Sequence, residues 1–227
     1  MAGGFLRGIS GFGAALGMVP LLAMVVPTQS AVVTVVLTTL LTNIPMSYAT
    51  RHEADWRTVA WISVGAAVGL LPGLWLLAHL PSNDLRRMVG VVVLASAALL
   101  AFAQPRKDAL TAPFRLAAGV VSGVLNGAVS LGGPPVVLYF LWTTATAETS
   151  RASFVAYFTV LQLAQLAALL VAGLITLDNL AWTAVVAPAM MLGTYAGSWV
   201  FRIGGHRHFR LIALVLLAIT GLVTVIR

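Results

Sequence analysis

Cysteine is absent from the sequence, which excludes disulfides and thiol chemistry. Charge is scarce as well. Only 8 % of the 227 residues are Asp, Glu, Lys or Arg, against about a quarter in soluble domains. The acidic residues Glu53, Asp55, Asp84, Asp108, Glu148 and Asp178 all fall between apolar stretches. No carboxylate therefore sits where a proton or sodium relay would need one, nor where acid–base catalysis in a membrane would use it. His79 is the only histidine near a span, and no segment contains a Ser-His pair. No catalytic group, metal-ligand set or cofactor is expected.

Apolar sequence fills the space that charge leaves. Hydrophobic residues make up 60 % of the chain and its mean hydropathy is +0.99, so the solvent is lipid and the protein crosses it several times. Strand-like alternation is missing, and a helical bundle is the remaining way to satisfy every backbone group in a bilayer. The net charge of +7 is dispersed singly or in pairs between spans, as in loops that meet anionic headgroups, and does not indicate nucleic acid. No cleavable signal peptide is expected, because the first apolar segment lacks a charged n-region and a small-residue cleavage site. The predicted embedded segments are Gly3–Val26, Ala31–Tyr48, Thr58–Ala78, Leu85–Phe102, Phe114–Trp142, Ser153–Leu174, Leu180–Phe201 and Phe209–Ile226. Between the fourth and fifth lies the charged, proline-containing stretch Ala103–Arg115.

That stretch separates two copies. "GFLRGISGFGAALGMVPLL" (Gly4–Leu22) aligns without gaps to "GVVSGVLNGAVSLGGPPVV" (Gly119–Val137), and "GLLPGLW" (Gly69–Trp75) matches "GTYAGSW" (Gly193–Trp199). The fold class expected is all-α: a polytopic membrane bundle of two four-segment repeats, residues 1–103 and 104–227, forming one integrated membrane domain. If all eight segments crossed fully, the repeats would be parallel and the basic residues would divide six against six. If segments 1 and 5 are re-entrant hairpins, the repeats are inverted. Arg51, Arg57, Arg106, Lys107, Arg115, Arg151, Arg202, Arg207 and Arg210 then gather on one face, with only Arg86, Arg87 and Arg227 opposite. The inverted arrangement obeys the positive-inside rule and is the one predicted.

Re-entrance accounts for "SGVLNGAVSLGGPPVVLYFLW" (Ser122–Trp142), a span filled with poor helix formers. A hairpin must break at mid-membrane, where bare backbone survives only against protein or a cavity. Gly11–Gly13 and Asn126-Gly127 sit near the middle of their segments, with Pro20 and Pro135 following as helix starters. Which of these marks each apex is not decided. The helix amino-termini at either break would offer positive partial charge and free N–H groups to an anion.

The candidate substrate-binding residues follow from those breaks. Arg7 is the only basic residue beyond the first three positions of an embedded segment. It is read either as a bidentate anion contact or as a side chain that snorkels to the interface. Ser10, Asn126 and Ser130 flank the breaks, and Gly11, Gly13, Gly127, Gly132 and Gly133 form them. Each hydroxyl or amide could donate to a ligand or repair the broken backbone ladder. Asn43, Gln162 and Gln165 fall at similar depth in the second segment of each copy and are read as cavity-lining amides. Gly4-xxx-Gly8 and Gly119-xxx-Gly123-xxx-Gly127 are read as close helix packing, and the tryptophans at segment ends as interfacial anchors.

The glycine-rich opening that ends in "VPLL", the "DWR" after the second span and the "SLGGPPVVLY" of the second half resemble the TauE/SafE family, also described as the 4-toluene sulfonate uptake permease family. The resemblance runs over essentially the whole chain. It implies a multi-pass carrier of the bacterial inner membrane for sulfite, sulfonates or other small organic anions. Two departures stand out: the apolar lead-in before the first glycines is missing, and copy one has one proline where copy two has a pair. The partners expected are a small anion and the lipid bilayer, with a homodimer allowed for. Set against this carrier are a membrane-embedded lipid-phosphate-type enzyme and a scaffold without cargo. The enzyme lacks its intramembrane acids and bases, and the scaffold predicts a dry bundle at the breaks.

Overall fold

The computed structural model describes residues 2–11, 13–102, 111–142 and 146–203. Among these residues every regular element is helical: α1 (Ala2–Ser10), α2 (Ala14–Leu22), α3 (Thr28–Thr50), α4 (Trp56–His79), α5 (Ser82–Phe102), α6 (Ala112–Val129), α7 (Gly133–Trp142), α8 (Ala147–Val171) and α9 (Leu177–Arg202). Predicted segments 2, 3, 4, 6 and 7 are single helices, whereas segments 1 and 5 are each two. The eighth, Phe209–Ile226, lies outside the described residues, as does most of the charged stretch before α6. α3, α4, α6, α8 and α9 are long and apolar enough to cross a bilayer, which makes this a multi-pass membrane protein.

The long helices begin at polar caps. Asp55 accepts from the Thr58 N–H at 3.1 Å, and Thr176 with Asn179 forms a reciprocal capping box at the start of α9, so orphan amides are satisfied where the chain turns. Their interiors tolerate Pro45, Pro72 and Pro188, as neighbours in a bundle can take up the freed carbonyls.

Two glycine seams bring backbones together. Gly65, Gly69 and Gly73 of α4 face Gly119, Gly123 and Gly127 of α6, with the two helices parallel. A methyl group on Gly69 would overlap the Val120 carbonyl oxygen. At the second seam Gly8 of α1 lies against Thr194 and Gly197 of α9, again in parallel. Lipid supplies no hydrophobic force between helices, so dispersion at this close range is what holds them.

Segments 1 and 5 turn back on themselves. On a continuous rod residues 3 and 14 would be about 16 Å apart, yet a Cβ on Gly3 would sit 3.1 Å from both the Ala14 carbonyl oxygen and the Met18 side chain. In the second hairpin Arg115 Nε donates to the Tyr139 hydroxyl at 2.8 Å, and Ser122 donates to the Gly132 carbonyl. α7 therefore descends antiparallel to α6.

The first break falls at Gly11–Gly13, with φ of 76° and 88°, values costly for any residue with a Cβ. The second does not fall at Asn126-Gly127, through which α6 continues. It falls at Ser130, which is left-handed at φ 56°, followed by Leu131 and Gly132. The reason lies just downstream. Pro134 and Pro135 have no N–H to bond carbonyls 130 and 131, so the helix must end there and restart. Pro135 does sit in the first turn of α7, as a helix starter should. Pro20 does not, since it is the seventh residue of α2.

Contacts at the helix ends sort the basic residues. The Asp55 N–H donates to Ser153 at 2.9 Å, which joins the start of α4 to that of α8. Thr28 donates to the Ser82 carbonyl at 3.1 Å, and Asn179 to that of Ser30 at 3.4 Å, which joins the starts of α3, α5 and α9. Arg51, Arg57, Arg115 and Arg151 thus lie toward one end of the bundle, and Arg86 and Arg87 toward the other.

Candidate functional site

α1 ends one turn after Arg7, and the fold-back of α2 closes over that turn. Arg7 is left only 3 % exposed, so its guanidinium does not reach an interface. Its Nε and Nη2 are fully buried and have no hydrogen-bond partner. Arg7 lines a small cavity of ≈ 20 Å³ together with Gly13, Asn126, Ser130, Gly133 and Gln162, among others. A space of that size holds about one water. Both hairpin breaks contribute to it, and no carboxylate is among the described residues that line it.

The two helix amino-ends at the cavity are not equivalent. α2 begins at Gly13, which supplies no side-chain cap, so the amides of its first turn remain available. α7 begins Gly133-Pro134-Pro135, and the prolines leave Gly133 as its principal early donor. The Ser130 hydroxyl, 5 % exposed, also lacks a partner. The donor set is therefore asymmetric: a guanidinium and the α2 amides on one side, one hydroxyl and one amide on the other.

Behind these donors stands a wall of paired amides. Gln165 accepts from Asn126 Nδ2 at 2.6 Å and donates back to the Asn126 carbonyl at 3.0 Å. Gln162 accepts from Asn43 Nδ2 and donates to Thr39 at 2.8 Å. Four predicted amides thus join α3, α6 and α8, but only Asn126 and Gln162 face the cavity. Asn43 and Gln165 hold those two in orientation. Asn126→Leu keeps the backbone carbonyl that Gln165 Nε2 uses but should strand the Gln165 side-chain oxygen and lower stability by about 1–3 kcal/mol, a loss of several degrees in the thermal melt without added anion.

Other predicted residues lie apart from the cavity lining. Gly127 packs into the α4 seam, 2.7 Å from the Leu70 carbonyl if given a Cβ. Gly132 lies on Ser122, and Gly11 lies against Arg151. The Ser10 side chain lies outside the described residues. Sequence reasoning passed over Tyr157, whose hydroxyl donates to Ser122 at 2.7 Å and braces the second break from α8. The signal was present, since Ser122 is the position aligned with Arg7.

The sulfite exporter TauE/SafE family model matches residues 1–224. The chain belongs to the TauE/SafE family. Comparison with curated proteins and with solved structures returned no match. TauE/SafE proteins are membrane anion exporters, and that membership gives the chain a transport role while leaving its cargo open. It lends no support to the lipid-phosphate enzyme or to the scaffold. In a TauE/SafE chain, a buried guanidinium facing a cavity without a carboxylate acquires a chemical meaning: an unpaired buried cation is costly, and a bound anion removes that cost.

Proposed function

We propose that this chain exports a small sulfur oxyanion or sulfonate, held between two re-entrant hairpins of inverted repeats, residues 1–103 and 104–227. The observation that carries the reading is the buried Arg7, with Nε and Nη2 unpaired, lining a small cavity at both breaks that has no acidic residue among its described lining. Arg7 and the α2 amides bind the anion, Ser130 and the Gly133 amide complete its shell, and Asn126 and Gln162 set its orientation. The repeats are supported by the two glycine seams, in which the first segment of each half packs on the third segment of the other. The seams differ from the sequence alignment by one helical turn. The first break also precedes the second by about a turn, so the two departures agree.

The membrane is the bacterial inner membrane, with the Arg51–Arg57–Arg151 end in the cytoplasm by the positive-inside rule. One half rocks against the other to expose the cavity alternately. Export needs no coupling ion, because an inside-negative potential drives a monovalent anion outward by about 2.3 kcal/mol per 100 mV.

Proteoliposomes loaded with sulfite test this. Efflux should accelerate several-fold when a potential negative inside is imposed, and an imposed proton gradient should change it little. Concentrative uptake that follows the proton gradient would overturn the direction. Failure of sulfite, sulfonates and carboxylates alike to stabilise the purified protein would overturn the cargo class.

A further inference from the structure

A second, larger cavity of ≈ 240 Å³ lies toward the basic end, between the later halves of α3 and α9 and the first turns of α8. Its polar lining is Thr42, Thr50, Arg151, Thr194, Tyr195 and Ser198, and no acidic residue is among the described residues that border it. Among the described residues Thr194 is one of three buried helical threonines, with Thr34 and Thr38 of α3, whose hydroxyl has no partner, and the one of the three that lines this cavity. A buried threonine hydroxyl ordinarily bonds the carbonyl one turn back, as Thr39, Thr159 and Thr183 do. Thr194, at 8 % exposed, makes no hydrogen bond through its hydroxyl, and the backbone of α1 at Gly4 covers the Met190 carbonyl it would use. A buried hydroxyl is thus left beside an open cavity.

Arg151 lines this space beside Ser198. Its Nη2 donates to the Gly8 carbonyl at 2.8 Å and to the Ser198 hydroxyl at 3.1 Å, and its guanidinium packs on the Phe201 ring at 4.5 Å. Its stem and carbonyl lie against Gly11, while Gly13, two residues on, borders the Arg7 cavity. One glycine turn therefore separates the outer cavity from the inner one, with an arginine on each side.

We propose that the outer cavity is a second oxyanion subsite, where cargo docks on Arg151, Ser198 and Thr194 before passing the Gly11–Gly13 turn to Arg7. This rests on the transport reading above. The subsite takes the anion from the basic end while it is still partly hydrated, which the larger volume permits. The inner cavity, which at ≈ 20 Å³ holds about one water, must widen as the halves rock to take it stripped. The same donors would also suit an anionic lipid headgroup, so lipid composition is one arm of the test.

Sulfite flux should be measured in phosphatidylcholine vesicles, then with phosphatidylglycerol added. Thr194→Val removes one hydroxyl that the fold does not use. It should raise the half-saturating sulfite concentration about fivefold, the worth of one hydrogen bond, with the maximal rate and melting temperature retained. Arg151→Gln should raise it about tenfold or more, and Arg151→Lys should recover part of that. A purely structural clamp would instead lower the maximal rate and melting temperature of Arg151→Gln and leave Thr194→Val silent, which overturns the subsite. Effects confined to vesicles with phosphatidylglycerol would assign the cavity to lipid and overturn it too. A wild type that transports, with both variants kinetically unchanged, sinks the subsite alone. A wild type that binds no oxyanion sinks the transport reading with it.

Discussion

Arg7→Met is expected to abolish transport and, at the same time, to raise the melting temperature of the ligand-free protein. The two effects share one cause. Two guanidinium nitrogens, Nε and Nη2, are buried without partners, so the empty protein carries the desolvation cost of a cation with little to offset it. Exchanging buried charge for apolar volume is often neutral or stabilising by about 1–4 kcal/mol, a gain of several degrees for a chain of this size. Loss of two charge-assisted hydrogen bonds, each worth about 1.5–3 kcal/mol, removes at least about 100-fold in anion affinity. Arg7→Lys keeps the charge but not the planar fork, and should fall between. Melts of the wild type with and without sulfite, beside Arg7→Met without it, check the pair. A variant less stable than the anion-free wild type, yet still transporting, would show that Arg7 is structural.

Much of this arrangement could be read in the residues before any coordinates. Length and hydropathy placed the single-helix segments to within a few residues of α3, α4, α5 and α9, because a bilayer demands long apolar runs and the caps lie in the polar loops between them. α8 begins earlier than predicted, since its first turns carry Glu148 and Arg151 and so read as loop. The hairpins were legible as an excess of glycine and proline, but the second apex was not. The decision there belongs to the carbonyls that Pro134 and Pro135 leave unbonded, and Asn126-Gly127 is a weaker interruption that a tight seam with α4 turns to use.

The site divides along the same line. Residue type identified Asn43, Asn126, Gln162 and Gln165 as groups that lipid cannot tolerate alone, and their joining of three helices follows from that intolerance. Which two face the cavity depends on helix rotation, which periodicity cannot fix in helices apolar on every side. Arg7 stood undecided between two readings because its depth depends on a fold-back that brings Ala14 over Gly3. Arg151 was counted as loop charge, and only its reach to Gly8 and Ser198 separates it from Arg57 or Arg87.

Gly69→Ala and Gly17→Ala should move stability in opposite directions, although each adds one methyl group to a buried helical glycine. At Gly17 the nearest atom would be the Gly3 Cα at 3.7 Å, ordinary van der Waals contact. The helix then gains the usual advantage of alanine over glycine, about 0.5–1 kcal/mol. At Gly69 the methyl would overlap the Val120 carbonyl oxygen and lie 3.0 Å from the Val124 nitrogen. Backbone cannot rotate away as a side chain can, so α4 and α6 must separate along the whole seam. Overpacking costs about 1–3 kcal/mol, and the close contacts of Gly65 and Gly73 loosen with it, so the loss outweighs the propensity gain. The functional consequence follows from what α6 carries. Ser122, Asn126 and Ser130 all ride on it, and a displacement of even about 1 Å is enough to spoil a preorganised site. Gly69→Ala should therefore lose the sulfite-dependent rise in melting temperature as well as basal stability, whereas Gly17→Ala keeps the first and gains in the second. Equal melting temperatures for the two variants would mean that the α4–α6 seam does not set the position of the site.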